Sequence, residues 1–176
     1  MNLTEFPRPV LGIAAHSGTG KTTLLEKVIP LLRERGLRLA VVKHAHHGFD
    51  VDKPGKDSHR LRTAGANQML IASSRRWALM HENEVEAEPK LEDMLSQLDL
   101  DNLDLVLVEG FKKYPVPKLA LRREGYDGDL IELDRSDLVA VATDSDSLQL
   151  PEGLVRLDIN SPEAVADWII GYAGRG

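Results

Sequence analysis

There is no cysteine anywhere in the 176 residues. That excludes a disulfide framework and a thiolate metal site, and it is compatible with a reducing compartment. A surplus of basic residues is missing too: 22 Lys and Arg stand against 28 Asp and Glu, for a formal net charge of −6. Non-specific nucleic-acid binding needs the opposite balance on at least one face, so no nucleic-acid partner is expected. A single bound nucleotide is not excluded, because a local cluster of N–H dipoles with a lysine can hold a phosphate whatever the distant surface carries. No apolar run approaches the ~20 residues of a bilayer-spanning helix. The opening Met1-Asn2-Leu3-Thr4-Glu5-Phe6-Pro7 has neither the basic region nor the apolar core of a secretory leader. The expectation is a cytoplasmic protein with no membrane partner. Internal repeats and low-complexity segments are also lacking. The length suits one domain over residues 1–176, able to bury roughly two-thirds of its unfolded surface without covalent or metal staples.

Against these absences stands Ala15-His16-Ser17-Gly18-Thr19-Gly20-Lys21-Thr22-Thr23, directly after the apolar run Val10-Leu11-Gly12-Ile13-Ala14. The pattern predicts a strand, a glycine-bearing loop and a helix start, in which successive backbone N–H groups converge on a phosphate. Gly18 and Gly20 let the backbone curl tightly and approach an anion. Lys21 would reach the β- and γ-phosphates, and the Thr22 hydroxyl would ligate Mg²⁺. One glycine of the general motif is missing: its opening position holds Ala15. Alanine is the smallest residue with a Cβ, so the turn is retained. A glycine turn that merely joins a strand to a helix is the competing reading; Gly-Lys-Thr-Thr in this context favours a nucleotide triphosphate cradle over His16, Ser17, Gly18, Thr19, Gly20, Lys21, Thr22 and Thr23.

Leu24, Leu25, Val28, Leu31 and Leu32 continue at helical spacing to a stop near Gly36, with a bend expected at Pro30. Leu39-Ala40-Val41-Val42 reads as a parallel strand covered on both faces. It runs into the charged loop Lys43 to Asp57. Ligands of open α/β sheets sit beyond the carboxyl ends of the strands, so this loop shares a rim with the phosphate loop. Its histidines, His44, His46 and His47, invite a zinc reading, but no cysteine and no helical i, i+4 pair supports one, and solvated or phosphate-facing histidines fit better. Asp50, Asp52 and Asp57 are available for indirect Mg²⁺ contact, while Asp57 equally suits the N-cap of a short helix that Gly65 closes.

Gln68 to Ala72 and Trp77 to His81 read as an antiparallel pair, which would make the sheet mixed. A helix is expected from Leu91 to Leu98. Leu105-Val106-Leu107-Val108-Glu109 is the second half of a nucleotide site: a buried strand that delivers Glu109 beside the first strand, to hold the Mg²⁺ shell or polarise a water. Lys118 to Arg122 is a further strand, and Pro115 and Pro117 before it suit an edge or a turn. Leu138 to Ala142 ends in Thr143-Asp144, where a carboxylate has two possible duties, accepting two N–H bonds from a guanine edge or capping a turn; the fuller Asn-Lys-x-Asp pattern is absent. Leu154 to Leu157 and a helix opened by Ser161 and Pro162 complete the chain. The fold class is therefore α/β, with a mixed, mostly parallel sheet of P-loop NTPase type, helices on both faces and an antiparallel extension.

The chain resembles the MobB family of molybdopterin-guanine dinucleotide biosynthesis proteins. The resemblance rests on Ser17 through Leu25, Lys43-His44-Ala45-His46-His47, Asp50 through Ser58, Arg76-Trp77-Ala78-Leu79-Met80 and Leu107-Val108-Glu109-Gly110-Phe111-Lys112. It implies a homodimer with a sheet continued across the dimer, binding GTP with Mg²⁺, hydrolysing it slowly and assisting the attachment of GMP to molybdopterin alongside the guanylyltransferase MobA. Position by position, the phosphate loop corresponds to His16 through Thr23 and the strand-end acid to Glu109. Lys43, His44, His46, His47, Asp50, Asp52, Lys53 and Lys56 would face a second, molybdopterin-type ligand or the partner.

Hydrolysis also needs a positioned water and a cation at the transferring phosphate. Lys21 and Glu109 are the candidate catalytic residues, Thr22 and Glu109 the candidate metal ligands, and no arginine is identifiable in the sequence. Slow turnover, or turnover completed by a partner, follows. A small-molecule kinase built on the same loop, and a module that holds only an anion, remain as alternatives; preference for GTP over ATP is left open by the residues themselves.

Overall fold

The computed structural model describes residues 6–45, 48–125 and 135–174. Of the loop that the glycines predict from Gly125 to Asp129, Tyr126 to Asp129 lie outside the described residues, as do His46, His47 and Met1 to Glu5. The elements, in order, are β1 (Val10–Ala15), α1 (Lys21–Glu34), β2 (Leu39–Lys43), α2 (Asp57–Thr63), β3 (Gln68–Ala72), β4 (Trp77–His81), α3 (Leu91–Leu95), β5 (Leu105–Glu109), β6 (Lys118–Arg122), β7 (Leu138–Thr143), β8 (Val155–Asp158) and α4 (Pro162–Ala173). They fall into two compact units, Met1–His44 with Lys90–Gly176, and Ala45–Pro89.

The larger unit holds a six-stranded sheet in the order β2-β5-β1-β6-β7-β8, and every pairing in it is parallel. Its central strands are near-continuous apolar runs because they are covered on both faces. Alternation then divides the side chains. Leu11, Ile13, Leu105, Leu107, Leu119 and Leu121 meet Leu24, Leu25, Val28 and Leu32 of α1 and Val165, Ala166 and Ile169 of α4 on one face. Val10, Val106 and Val108 meet Leu91 and Leu95 of α3 on the other. Helices thus cover both faces, as expected for this fold class. α1 runs through Pro30 as one helix. Arg35, the residue that follows α1, bonds to Asp167 of α4, and α4 is capped by the Ser161 hydroxyl, which accepts the Ala164 N–H at 3.3 Å.

The smaller unit is built on the β3–β4 hairpin, antiparallel with Ala72 opposite Trp77. Ser73 closes the turn: its N–H donates to the Arg76 carbonyl at 2.8 Å, and its hydroxyl accepts the Arg75 and Arg76 N–H groups. Within the same unit Arg62 of α2 bridges Asp50 and Glu82, at 2.8 and 2.6 Å. The antiparallel pair forms a sheet of its own, and the parallel sheet remains parallel throughout.

Four local expectations are corrected. Among the described residues β2 is an edge strand, paired with β5 alone, and Val41 is 45% exposed rather than covered on both faces. Of the two readings of Pro115 and Pro117, the edge is overturned and the turn stands: β6 lies inside, between β1 and β7, and both prolines precede it, Pro117 contributing a carbonyl that accepts the Gly12 N–H at 2.8 Å. Asp57 is the first residue of α2, not its cap; Lys56 takes that place and no side chain caps the end. α3 stops at Leu95, and tight turns carry the chain on through Leu98.

Lys118 is 2% exposed, a rare position for lysine. Its stem lies against Gly12, where an added Cβ would come within 3.0 Å of Lys118 Cγ. Its ammonium spends its three protons on the Tyr114 carbonyl (2.7 Å), the Val116 carbonyl (3.2 Å) and Asp137 Oδ2 (2.7 Å). Lys118→Ala should therefore cost about 3–5 kcal/mol in denaturant unfolding, and a loss below about 1 kcal/mol would contradict the strut.

A second tie joins the starts of β2 and β5. Arg38 donates to Asp104 from its backbone N–H at 2.8 Å, from Nε at 3.1 Å and from Nη2 at 2.9 Å. These bonds, the side-chain ones foremost, hold the Asp104 carboxyl down to about 2. A folded-state value below the unfolded one stabilises the fold above about pH 4, and the contribution disappears as pH falls from there toward 2. The melting-temperature gap between the parent protein and Asp104→Asn should accordingly close over that window; a gap independent of pH would contradict it.

Candidate functional site

β1 ends at Ala15, and the chain turns through His16 to Gly20 into α1. Thr19, 2% exposed, closes the turn from inside: its hydroxyl donates to the His16 carbonyl at 2.8 Å and its N–H points to the same oxygen at 3.3 Å. Thr19 thus shapes the loop with its side chain. Gly18 and Gly20 have φ of 83° and 87°, a conformation that costs any side-chain-bearing residue energy. Gly20 is the N-cap of α1, so no side-chain oxygen caps the helix, and the first turn carries no acidic residue. The N–H groups that open this helix, and the positive end of its dipole, are left for an external anion. Ser17, Thr22 and Thr23 are exposed around this opening, with His16 half-buried.

Parallel pairing brings Glu109, the last residue of β5, opposite Ile13 of β1 and Lys43 of β2. Its Oε1 lies 3.1 Å from Lys21 Nζ and 3.3 Å from Lys43 Nζ. Burial pushes the carboxyl upward, but the hydrogen bonds and charges of Lys21 and Lys43 outweigh it, and Glu109 sits below the usual range, ionised at neutral pH. The sequence-predicted catalytic pair, Lys21 and Glu109, is therefore in contact.

The backbone next to Glu109 is unusual. Gly110 and Phe111 have φ of 85° and 50°. A left-handed phenylalanine persists only where packing over-determines it. Phe111 is 6% exposed, with its ring 4.9 Å from that of His44 and edge-on to Tyr114 at 5.5 Å. The His44 N–H donates to the Glu109 carbonyl at 2.9 Å, which leaves no space over Gly110: a Cβ there would lie 2.7 Å from His44 Cβ. His44 thus acts on Glu109 through the backbone.

On the other side of β1, Asp144 follows β7. One of its oxygens accepts the Glu124 N–H at 2.7 Å and the other accepts Arg123 Nη1 at 2.9 Å. These two partners, the backbone bond foremost, hold the carboxyl below its ordinary value. Arg123 Nη1 also donates to Asn160 at 2.9 Å, and its Nε lies 3.8 Å from where a Cβ on Gly20 would stand. An arginine therefore borders the phosphate loop. The sequence reading missed it, although its place one residue beyond β6 puts it on the ligand rim of a parallel sheet.

The remaining candidates belong to the smaller unit. Asp50 pairs with Arg62, and Asp52 Oδ1 accepts the Ser58 hydroxyl at 2.7 Å and the Lys53 N–H at 3.0 Å. Lys53 and Lys56 are exposed. Among the described residues no three His, Asp or Glu side chains cluster as a metal site. Mg²⁺ needs no such cluster, since it retains waters and combines one or two protein oxygens with phosphate oxygens. The Thr22 hydroxyl and Glu109 carboxylate have the right donor chemistry. With two lysines already on Glu109, a metal arriving with its phosphates fits better than one bound in advance.

Gly110→Ala should lower the melting temperature more than Gly36→Ala. Both sites have positive φ, but nothing lies within 4 Å of a Cβ at Gly36. The left-handed penalty, roughly 1–2 kcal/mol, is common to both, so equal losses would show that the His44 contact is slack.

A family model described as "Molybdopterin guanine dinucleotide synthesis protein B" matches residues 10–144. An Escherichia coli (strain K12) protein named "Molybdopterin-guanine dinucleotide biosynthesis adapter protein" is 48% identical over 166 residues, 93% of each chain. A Haemophilus influenzae protein of the same name is 46% identical over 161 residues, 92% of this chain and 87% of that one. The crystal structure of Bacillus subtilis MobB aligns with a TM-score of 0.76 at 24% identity, over 93% of this chain and 97% of that chain, a likeness of fold.

Proposed function

The chain belongs to the MobB family, and we propose that it is a Mg²⁺-dependent GTP-binding adapter for the biosynthesis of molybdopterin guanine dinucleotide. The adapter role is carried over from the name borne by the relatives in Escherichia coli and Haemophilus influenzae. The observation that carries the nucleotide is the uncapped start of α1 with Lys21 and Glu109 in contact beside it.

On this reading the N–H groups of the loop and of the first turn of α1 take the phosphates. Lys21 exchanges Glu109 for phosphate oxygens, and Lys43 keeps the carboxylate partnered while it does so. Thr22 and Glu109 would hold Mg²⁺, which neutralises charge on the β- and γ-phosphates. Glu109 is paired with both Lys21 and Lys43, which blunts it as a base toward water; turnover is accordingly slow. A homodimer and a guanylyltransferase such as MobA are the proposed partners, with a molybdopterin-type ligand near Lys43 and His44. Exposed apolar side chains on the hairpin, Leu70 at 58%, Trp77 at 66% and Leu79 at 44%, suit a face that is covered by protein.

Titration calorimetry of the parent protein and Lys21→Ala with GTP and Mg²⁺ tests the reading. Loss of a charge-assisted contact should cost roughly 1.5–3 kcal/mol, a ten- to hundred-fold weaker Kd. Unchanged affinity in a folded variant would remove the phosphate loop from the account, and rapid phosphate transfer to an added acceptor would favour the kinase.

A further inference from the structure

We propose that Arg123 is a phosphate-binding residue supplied from the β6 side of the loop, held by Asp144 and Asn160 so that one edge of its guanidinium is presented to the bound phosphate chain. The proposal rests on the triphosphate reading and adds a residue to it.

Strand pairing alone brings the three residues together. β6, β7 and β8 are neighbours and parallel, with Arg122 opposite Thr143 and Thr143 opposite Asp158. Arg123 and Asp144 directly follow β6 and β7, and Asn160 lies two residues beyond β8. Parallel register therefore delivers an arginine, a carboxylate and an amide to one rim. β6 also pairs with β1, with Leu121 opposite Ala15, so the arginine emerges beside the start of the phosphate loop.

Each acceptor is itself fixed. Asp144 takes the Glu124 N–H at 2.7 Å on the oxygen that Arg123 does not use. The Asn160 N–H donates to Asp158 Oδ1 at 2.8 Å, and Ile159 beside it is 2% exposed. Both side chains then accept from the same guanidinium nitrogen, Nη1, at 2.9 Å each. Asp144 is thus a positioning residue for Arg123 rather than a reader of a guanine edge, since both of its oxygens already accept protein N–H groups.

A guanidinium offers an oxyanion two bidentate edges, Nη1 with Nη2 and Nε with Nη2. Nη1 is committed, so the second edge remains, and neither of its nitrogens makes a hydrogen bond among the described residues. Nε is also the atom that a Cβ on Gly20 would meet, at 3.8 Å. The unused edge therefore borders the N-cap of α1, where the helix N–H groups open toward an anion. A clamp between strand ends needs only the bonds to Asp144 and Asn160 and does not account for a fork left open on the loop side. An arginine already latched has also given up the rotamer freedom that binding otherwise costs. Lys21 and Lys43 meet at Glu109 on the β5 side, so cations flank the loop on both sides of β1.

The test is calorimetry with inorganic tripolyphosphate and with GTP, each with Mg²⁺, on the full-length parent, Arg123→Ala, Arg123→Lys, Asn160→Ala and the double alanine variant, with melting temperatures as a check on folding. Tripolyphosphate has no base or sugar, so it reads a phosphate contact directly. Arg123→Ala should bind both ligands roughly tenfold more weakly, as for loss of a charge-assisted contact. Arg123→Lys should remain weaker than the parent, because an ammonium has no second edge to present once it holds the two acceptors. Asn160→Ala should weaken tripolyphosphate about threefold by itself and not at all when Arg123 is already alanine, the behaviour of a residue that acts through another. Tripolyphosphate affinity unchanged in folded Arg123→Ala, or lowered equally by Asn160→Ala in both backgrounds, would overturn the proposal and leave the phosphate loop standing. Asn160 is exposed, so its variant carries the test should Arg123→Ala not fold, and unchanged tripolyphosphate affinity there would contradict the proposal. A parent protein that binds neither ligand would overturn the triphosphate reading and the role of Arg123 with it.

Discussion

Glu109 meets Lys21 only because β5 lies beside β1 in parallel register, and the rest of the site depends on that contact. The carboxylate lets two lysines from different elements, α1 and β2, share one small region without repelling each other. It also keeps the α1 opening free of a bound acid, since the anion that Lys21 now holds comes from a neighbouring strand rather than from the first turn of the helix. On the proposed reading, the carboxylate that pairs Lys21 is the group a phosphate would displace. Binding would then exchange one ion pair for another, which costs less than creating a charge contact from solvated partners.

The supports for this contact are spread through the larger unit. The Lys118 strut secures Gly12 on the strand that feeds the loop. Arg38 and Asp104 clamp the starts of β2 and β5, so that their ends deliver Lys43 and Glu109 together. The left-handed turn at Gly110 and Phe111 is held under His44, and strain retained next to a functional side chain is a recurring use of such conformations. Arg123 and Asp144 do for the β6 side of the loop what Lys43 and Glu109 do for the β5 side.

The parts of this arrangement that are local in the chain were legible in the sequence. Gly18, Gly20 and Lys21 announce a strand-loop-helix because their conformational and charge requirements are met within one stretch, and the apolar run ending in Glu109 gains meaning from that company. Strand order is different in kind. Nothing in the apolar pattern of Leu39 to Val42 distinguishes an edge strand from a buried one, because the neighbours that decide it lie far away in the chain. Prolines before Lys118 left an edge or a turn open for the same reason: the rule concerns missing N–H groups, and here it is a proline carbonyl, in the turn, that bonds to Gly12. Phe111 was illegible because its role exists only once β2 has been brought beside β5, whereas Arg123 was marked only by its place just beyond β6.

The most direct measurement is a crystal structure of the protein with Mg²⁺ and a non-hydrolysable GTP analogue. The account predicts phosphates seated over the N–H groups from Gly18 to Thr23, with Lys21 moved from Glu109 onto phosphate oxygens. Phosphates bound elsewhere, or a Lys21–Glu109 pair left intact beside bound nucleotide, would contradict it.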